Sequence, residues 1–325
     1  MAAIPTLLAS LKMKPTPRIR PIQRWMSVRP EQSGLPTQRK KVTIQHLHQL
    51  RKSGTPITML TAYDFPTGRA CETHNIDMTL VGDSLAQVCL GYDSTTRLTL
   101  EEMLHHCRAV ARGSRSPFLL ADMPFGTYHT SIEDAVRNAT RLVSEGGMEA
   151  VKIEGGMEVL DVVRRLTNVG IPVMAHVGLM PQRHTMFSGY KVQGRDAATA
   201  ISILESALAL EEAGAFAILL EAIPHKLGAY ITSQLRRAPT IGIGAGSQTN
   251  GQVLVWDDML GTWSGHKAKF VRRFGDVRNE IERGVRSYAE EIRARTFPAL
   301  QESYDMPGEE WDKFVELTEA RRVAS

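Results

Sequence analysis

Cysteine is scarce in this chain. Cys71, Cys89 and Cys107 are the only three in 325 residues. They show neither metal-ligand spacing nor the even count of a disulfide framework, so a reducing compartment is expected. Long apolar runs are missing as well: no stretch approaches the roughly 20 residues that a membrane-spanning helix needs, and no membrane insertion is expected. A third shortage is acid at the N-terminus. Residues 1–40 hold eight Lys or Arg and one acid, Glu31, so this segment carries +7 and the remainder −3 of the formal +4. The basic character therefore belongs to the tail and gives no reason to expect a nucleic-acid partner. Arginine-rich, acid-poor sequence with interspersed Leu, Ile, Trp and Ser reads as a mitochondrial presequence. A solvated, disordered tail is the competing reading. We divide the chain into this segment (1–40), a catalytic body (41–298) and a polar C-terminal extension with some helical character (299–325).

What the chain does have is repetition. Short apolar runs recur at 56–64, 78–84, 118–125, 150–156, 171–179, 216–224, 240–246 and, less clearly, 253–261. Between them lie amphipathic stretches such as TLEEMLHHCRAVARG, with Leu100, Met103, Leu104, Cys107 and Val110 at helical spacing. Another, SIEDAVRNATRLVSEGG, opens on a capping pattern from Ser131 to Asp134 and ends in glycines. A third, AATAISILESALALEEAG, closes on Gly214. Eight strand–helix units with glycine stops predict parallel strands joined by helical crossovers, closed into a (β/α)8 TIM barrel. A Rossmann sheet is the alternative, but no G-x-G-x-x-G follows the first strand. GIGAG occurs only in the seventh run. With 42% hydrophobic residues the chain can fill one such core.

Barrel chemistry is built at the C-terminal ends of strands. Those ends carry Gly82-Asp83-Ser84, Ala121-Asp122, Lys152-Ile153-Glu154, His176 and Glu221. In AVKIEGG, strand alternation puts Lys152 and Glu154 on one face and Val151 and Ile153 on the other. One acid at a strand end is commonly a turn former. Three on consecutive strands, Asp83, Asp122 and Glu154, repel one another unless something positive sits between them, and a divalent cation would remove the difficulty. Oxygen ligands without a Cys or His cluster favour a hard ion, Mg²⁺ above all, and its open positions suit a 2-oxo acid. Lys152 then faces the substrate's negative charge. Glu221, in the apolar run ILLEAIP, is the candidate general acid or base; an arginine-paired structural acid is the rival reading. His176 either donates a hydrogen bond to a substrate oxygen or is a satisfied core histidine. GIGAG could seat a phosphate or merely let strand meet helix closely. The loop LMPQRHTMFSGYKVQGRD after the fifth run reads as a lid.

VGDS, DSTTRLTLEEML, LLADMPF, VKIEGG, HVGLMPQ, GYKVQGR, LLEAIP, IGIGAG and VWDDMLG, in this order from about Thr43 to about Pro298, together resemble the ketopantoate hydroxymethyltransferase family. The resemblance implies a barrel of the phosphoenolpyruvate/pyruvate type that moves a one-carbon unit from 5,10-methylenetetrahydrofolate to 3-methyl-2-oxobutanoate, forming 2-dehydropantoate through a Mg²⁺-stabilised enolate. It implies Mg²⁺ at Asp83, Asp122 and Glu154, oxo-acid contacts at Asp83, Ser84, Asp122 and Lys152, and Glu221 as proton acceptor. It also implies a homo-oligomer, decameric in bacterial members. The chain departs from the family pattern at Ala86, at Ala268-Lys269 in place of Pro-Lys, and in its longer ends, which suit an organellar version. A related Mg²⁺-dependent 2-oxo acid lyase or mutase barrel is the alternative. A non-catalytic barrel would predict loss of Asp83, Asp122, Glu154 or Lys152, and all four are present.

Overall fold

The computed structural model describes residues 39–265 and 267–323, so the expected presequence segment, apart from Arg39 and Lys40, lies outside the described residues. Eight parallel strands close into a barrel in sequence order: β1 (Ile57–Thr61), β2 (Met78–Val81), β3 (Phe118–Asp122), β4 (Ala150–Glu154), β5 (Val173–Gly178), β6 (Ala217–Glu221), β7 (Thr240–Ile243) and β8 (Gly251–Leu254). Helix α1 (Ile44–Ser53) precedes the first strand. The crossovers then carry α2 (Phe65–Thr73), α3 (Leu85–Val88), α4 (Leu100–Gly113), α5 (Ile132–Ser144), α6 (Leu160–Asn168), α7 (Ala197–Glu212) and α8 (His225–Gln234). After β8 come α9 (Trp256–Leu260), α10 (Val277–Ala294) and α11 (Gly308–Val323).

The helices begin where local chemistry satisfies their first N–H groups. Thr99 and Glu102 cap each other's backbone at the start of α4, and the Ser131 hydroxyl accepts from the Asp134 N–H at the start of α5. Side chains on the strands divide by parity between two cores. Val151 and Ile153 join the layer packed between barrel and helices. Ala150, Met78, Leu120 and Met174 fill the barrel interior, where Val42 and Leu47 join them from the N-terminal side. The interior is apolar at this end, leaving the charged residues of the strands for the other.

The eighth run differs from its expected span. Its strand is Gly251–Leu254, paired with Ile57–Leu60 of β1, and the WDDML that follows is a one-turn helix. Gly251 starts this strand because a Cβ there would lie 2.5 Å from the Ile57 carbonyl oxygen. A short strand running straight into an apolar helical turn gives one continuous apolar signal in sequence. Beyond the barrel, neither α10 nor α11 has a buried residue.

Candidate active site

The C-terminal mouth of the barrel holds a cavity of about 190 Å³. Asp83, Ser84, Asp122, Lys152, Glu154, His176 and Glu221 all line it, so the fold brings these strand-end candidates to one place. Leu80, Leu219, Ile243 and Val253 form its apolar wall. Register explains the convergence. Asp122 pairs with Lys152 across β3 and β4, Glu154 with His176 across β4 and β5, and Gly178 with Glu221 across β5 and β6. Gly178 has φ of +99°, and a Cβ there would lie 2.3 Å from the Glu221 carbonyl oxygen, so only glycine lets the two strands meet with Glu221 in this position.

Lys152 is 4% exposed and Glu154 1%. Lys152 Nζ donates to Asp122 Oδ1 at 2.6 Å and stands 3.9 Å from Glu154 Oε1. The lysine is therefore engaged by the acids, because the Asp122–Lys152 register places them side by side. Its neighbouring carboxylates hold its ammonium above the usual lysine value against the cost of burial. Asp122 Oδ2 accepts from the Asp83 N–H at 2.9 Å.

Even so, negative charge is in excess. Burial, then the nearby Asp122, pushes Asp83 up to about 7. Burial, opposed by Lys152, holds Glu154 well above the ordinary carboxylate range. Glu221, its side chain 15% exposed, is pushed up to about 8, chiefly by burial. It has no arginine partner among the described residues. Its neighbour is His176, whose Nε2 donates to the Leu179 carbonyl oxygen at 2.8 Å and lies 3.4 Å from Glu221 Oε2. Burial and then Lys152 keep this histidine well below its usual value, hence neutral. Its buried Nδ1 has no hydrogen-bond partner and stands 3.6 Å from Glu154 Oε1.

Two residues that sequence reasoning missed organise this cluster. Gln182 lies in the loop expected to be a lid, yet it is buried: its Nε2 donates to Asp83 Oδ2 at 2.9 Å and to the Met123 carbonyl at 3.0 Å, and its backbone N–H donates to Glu154 Oε2 at 3.0 Å. The Tyr128 hydroxyl donates to Gln182 Oε1 at 2.7 Å. The side-chain amide of Gln182 thus holds Asp83 and its backbone N–H holds Glu154, while Met123 and Tyr128 fix the amide in place. Pro181 beginning a short 3-10 turn is the one local signal that the loop starts rigidly.

The donor set suits a hard cation. Five carboxylates, those of Asp83, Asp122, Glu154, Glu221 and Asp258, line the cavity with one ammonium, and oxygen is the only donor they offer. Among the described residues no group of three or more His, Cys, Asp or Glu is arranged to hold an ion unaided. Mg²⁺ does not require one, since it takes one or two carboxylates and completes its shell with water and substrate oxygens.

Residues 41–300 match the family of ketopantoate hydroxymethyltransferases. The chain belongs to that family. The 3-methyl-2-oxobutanoate hydroxymethyltransferase of Emericella nidulans is 47% identical over 278 residues, 85% of this chain and 79% of its own length. That of Deinococcus radiodurans is 50% identical over 266 residues, 82% and 93% of the two chains. Among solved structures, phosphonopyruvate hydrolase is similar with a TM-score of 0.53 at 16% identity, covering 86% of this chain and 99% of its own. Its complex with oxalate and Mg²⁺ gives 0.52 at 15%, covering 86% and 96%. A 2,3-dimethylmalate lyase of the PEP mutase/isocitrate lyase superfamily gives 0.51 at 15%, covering 86% and 97%. These structures share the barrel alone, whereas the ketopantoate hydroxymethyltransferase match extends along the sequence through every strand that lines the cavity. The lyase or mutase alternative thus has only the fold in its favour.

Proposed function

We propose that this protein transfers a hydroxymethyl unit from 5,10-methylenetetrahydrofolate to 3-methyl-2-oxobutanoate, giving 2-dehydropantoate for pantothenate synthesis. The observation that carries the reading is Glu221, a largely buried carboxylate poised near neutral pH at the edge of a small cavity that is acidic on one wall and apolar on the other. The cavity accommodates a small branched oxo acid, with its isopropyl end against Leu219, Ile243 and Val253 and its oxygens toward Lys152 and Ser84. Asp83, Asp122 and Glu154 are the carboxylates from which Mg²⁺ would draw its one or two protein ligands, and the ion would supply a Lewis acid for the substrate's oxygens. Glu221 then either takes the C3 proton or assists opening of the folate ring. Overall, C3 exchanges its hydrogen for the methylene carbon, water provides the new hydroxyl, and the two folate nitrogens regain hydrogen. Incubating the protein with both substrates and Mg²⁺ should yield 2-dehydropantoate by mass spectrometry. Folded, metal-supplied protein that makes none would overturn the proposal.

We further propose that the protein works as a homo-oligomer. Ile281, Val285, Tyr288 and Ile292 recur at helical spacing along α10 and are all exposed, a continuous apolar stripe that the described residues leave uncovered. Sedimentation should show a species heavier than the 36.0 kDa chain, and Ile281→Glu with Tyr288→Glu should shift it toward lower mass. A wild-type monomer at micromolar concentration would count against this.

A further inference from the structure

A second cavity, of about 600 Å³, adjoins the first at the mouth of β5 to β7. The two share Tyr190 and Phe270, which line both and form a neck between them. Their characters differ. The inner cavity is small and ringed by acids. The outer one has no acidic side chain among its described lining residues, and its walls are largely apolar, with Leu179, Val192 and the backbone at Gly244. Gly244 has φ of +67°, and a Cβ on it would come within 2.8 Å of the Phe270 ring, so the floor is bare backbone with an aromatic ring laid against it. Tyr190 stacks on His184, with ring centroids 5.7 Å apart and planes 11° from parallel. Phe270 and Val192 are 37% and 50% exposed, apolar surface that the other described residues leave open. The only charged side chains among the described lining residues, Lys191 and Lys269, are basic and exposed.

We infer that the outer cavity is the subsite for the one-carbon donor, a reduced folate. The inference rests on the proposed transferase activity and adds where its second substrate binds. A volume of about 600 Å³ falls within the roughly 300–1,000 Å³ of cavities that take drug-sized ligands, whereas the inner one suits only a small acid. A reduced folate is a flat heterocycle joined through an aminobenzoyl group to a glutamate bearing two carboxylates. Its transferable carbon sits at the junction of the first two parts. That junction belongs at the neck beside Tyr190 and Phe270, where the outer cavity meets the inner one that would hold the keto acid. The glutamate carboxylates belong at Lys191 and Lys269, the exposed cations of the outer rim. The charge pattern also sorts the substrates, because the acids of the inner cavity repel the donor's carboxylates while the outer lysines attract them.

Two readouts separate the subsites. Exchange of the C3 hydrogen of 3-methyl-2-oxobutanoate with deuterated water, followed by NMR with Mg²⁺ and no folate, reports the inner cavity alone. Product formation with 5,10-methylenetetrahydrofolate reports both. For the double variant Lys191→Glu, Lys269→Glu, the KM for the folate should rise about tenfold or more, since two favourable charge contacts become repulsive, while C3 exchange and the KM for the keto acid stay at wild-type values. A folate KM within about twofold of wild type would overturn the subsite, as would loss of C3 exchange in the variant. Absence of both exchange and product in the wild type would instead overturn the transferase reading itself.

Discussion

Glu221→Gln should lower kcat by about 10²- to 10⁴-fold, the usual contribution of one positioned proton-transfer group, while the KM for the keto acid changes little. The amide keeps the shape of the side chain and its place beside His176 but cannot take a proton. A rise in KM with kcat preserved would instead make Glu221 a binding group. As a base, Glu221 must be ionised, so kcat/KM of the wild type should rise with pH toward about 8, the value to which burial pushes its carboxyl. A cation that offsets the charges of Asp83 and Asp122 moves that limb to lower pH. The limb should be missing from the residual activity of the variant.

The same substitution should stabilise the protein in alkali. A carboxyl whose pKa is higher folded than unfolded makes no difference below its ordinary value, where both states are protonated. It destabilises the fold progressively as pH rises from there to its folded value. Asp83, at about 7, and Glu221, at about 8, both behave this way. Thermal stability of the metal-free wild type should therefore decline across that window. Glu221→Gln should melt higher than wild type at pH 8, the two converging near pH 4. Equal melting temperatures at pH 8 would show that Glu221 is solvated as ordinary carboxylates are. Catalytic competence here is set against stability, because the burial that tunes the base also penalises its charged form.

Strand alternation alone places Lys152 and Glu154 inside the barrel and Val151 and Ile153 outside it, and the structure has them so. The acids of β2, β3 and β4 were legible for a similar reason: a barrel forces consecutive strand ends together. Contacts that depend on loops or on register were not legible. Gln182 and Tyr128 reach the acids from irregular segments that have no periodicity to read. Tyr190 and Phe270 meet at the neck from positions 80 residues apart. The pairing of Lys152 with Asp122 follows from which residue of β3 sits opposite which residue of β4, and composition does not encode that.

That pairing leads to the second large effect. Lys152→Met should destabilise the fold by about 3–5 kcal/mol near neutral pH, the range seen when one partner of a buried ion pair is removed. It should also lower kcat/KM by about 10²- to 10³-fold through loss of positive charge beside the substrate oxygens. Lys152 is the one ammonium among the described residues lining the cavity, and it opposes the upward push on Asp83, Glu154 and Glu221 alike. Without it their folded pKa values rise further, so the stability deficit must grow as pH increases and shrink in acid, where the same groups are protonated. A deficit independent of pH would mean that the lost methylene packing or ammonium hydrogen bond matters and the charge does not. Lys152→Arg tests the distinction from the other side. It keeps the charge but not the compact ammonium that fits between Asp122 and Glu154, so it should recover much of the stability lost in Lys152→Met at neutral pH and little of the activity.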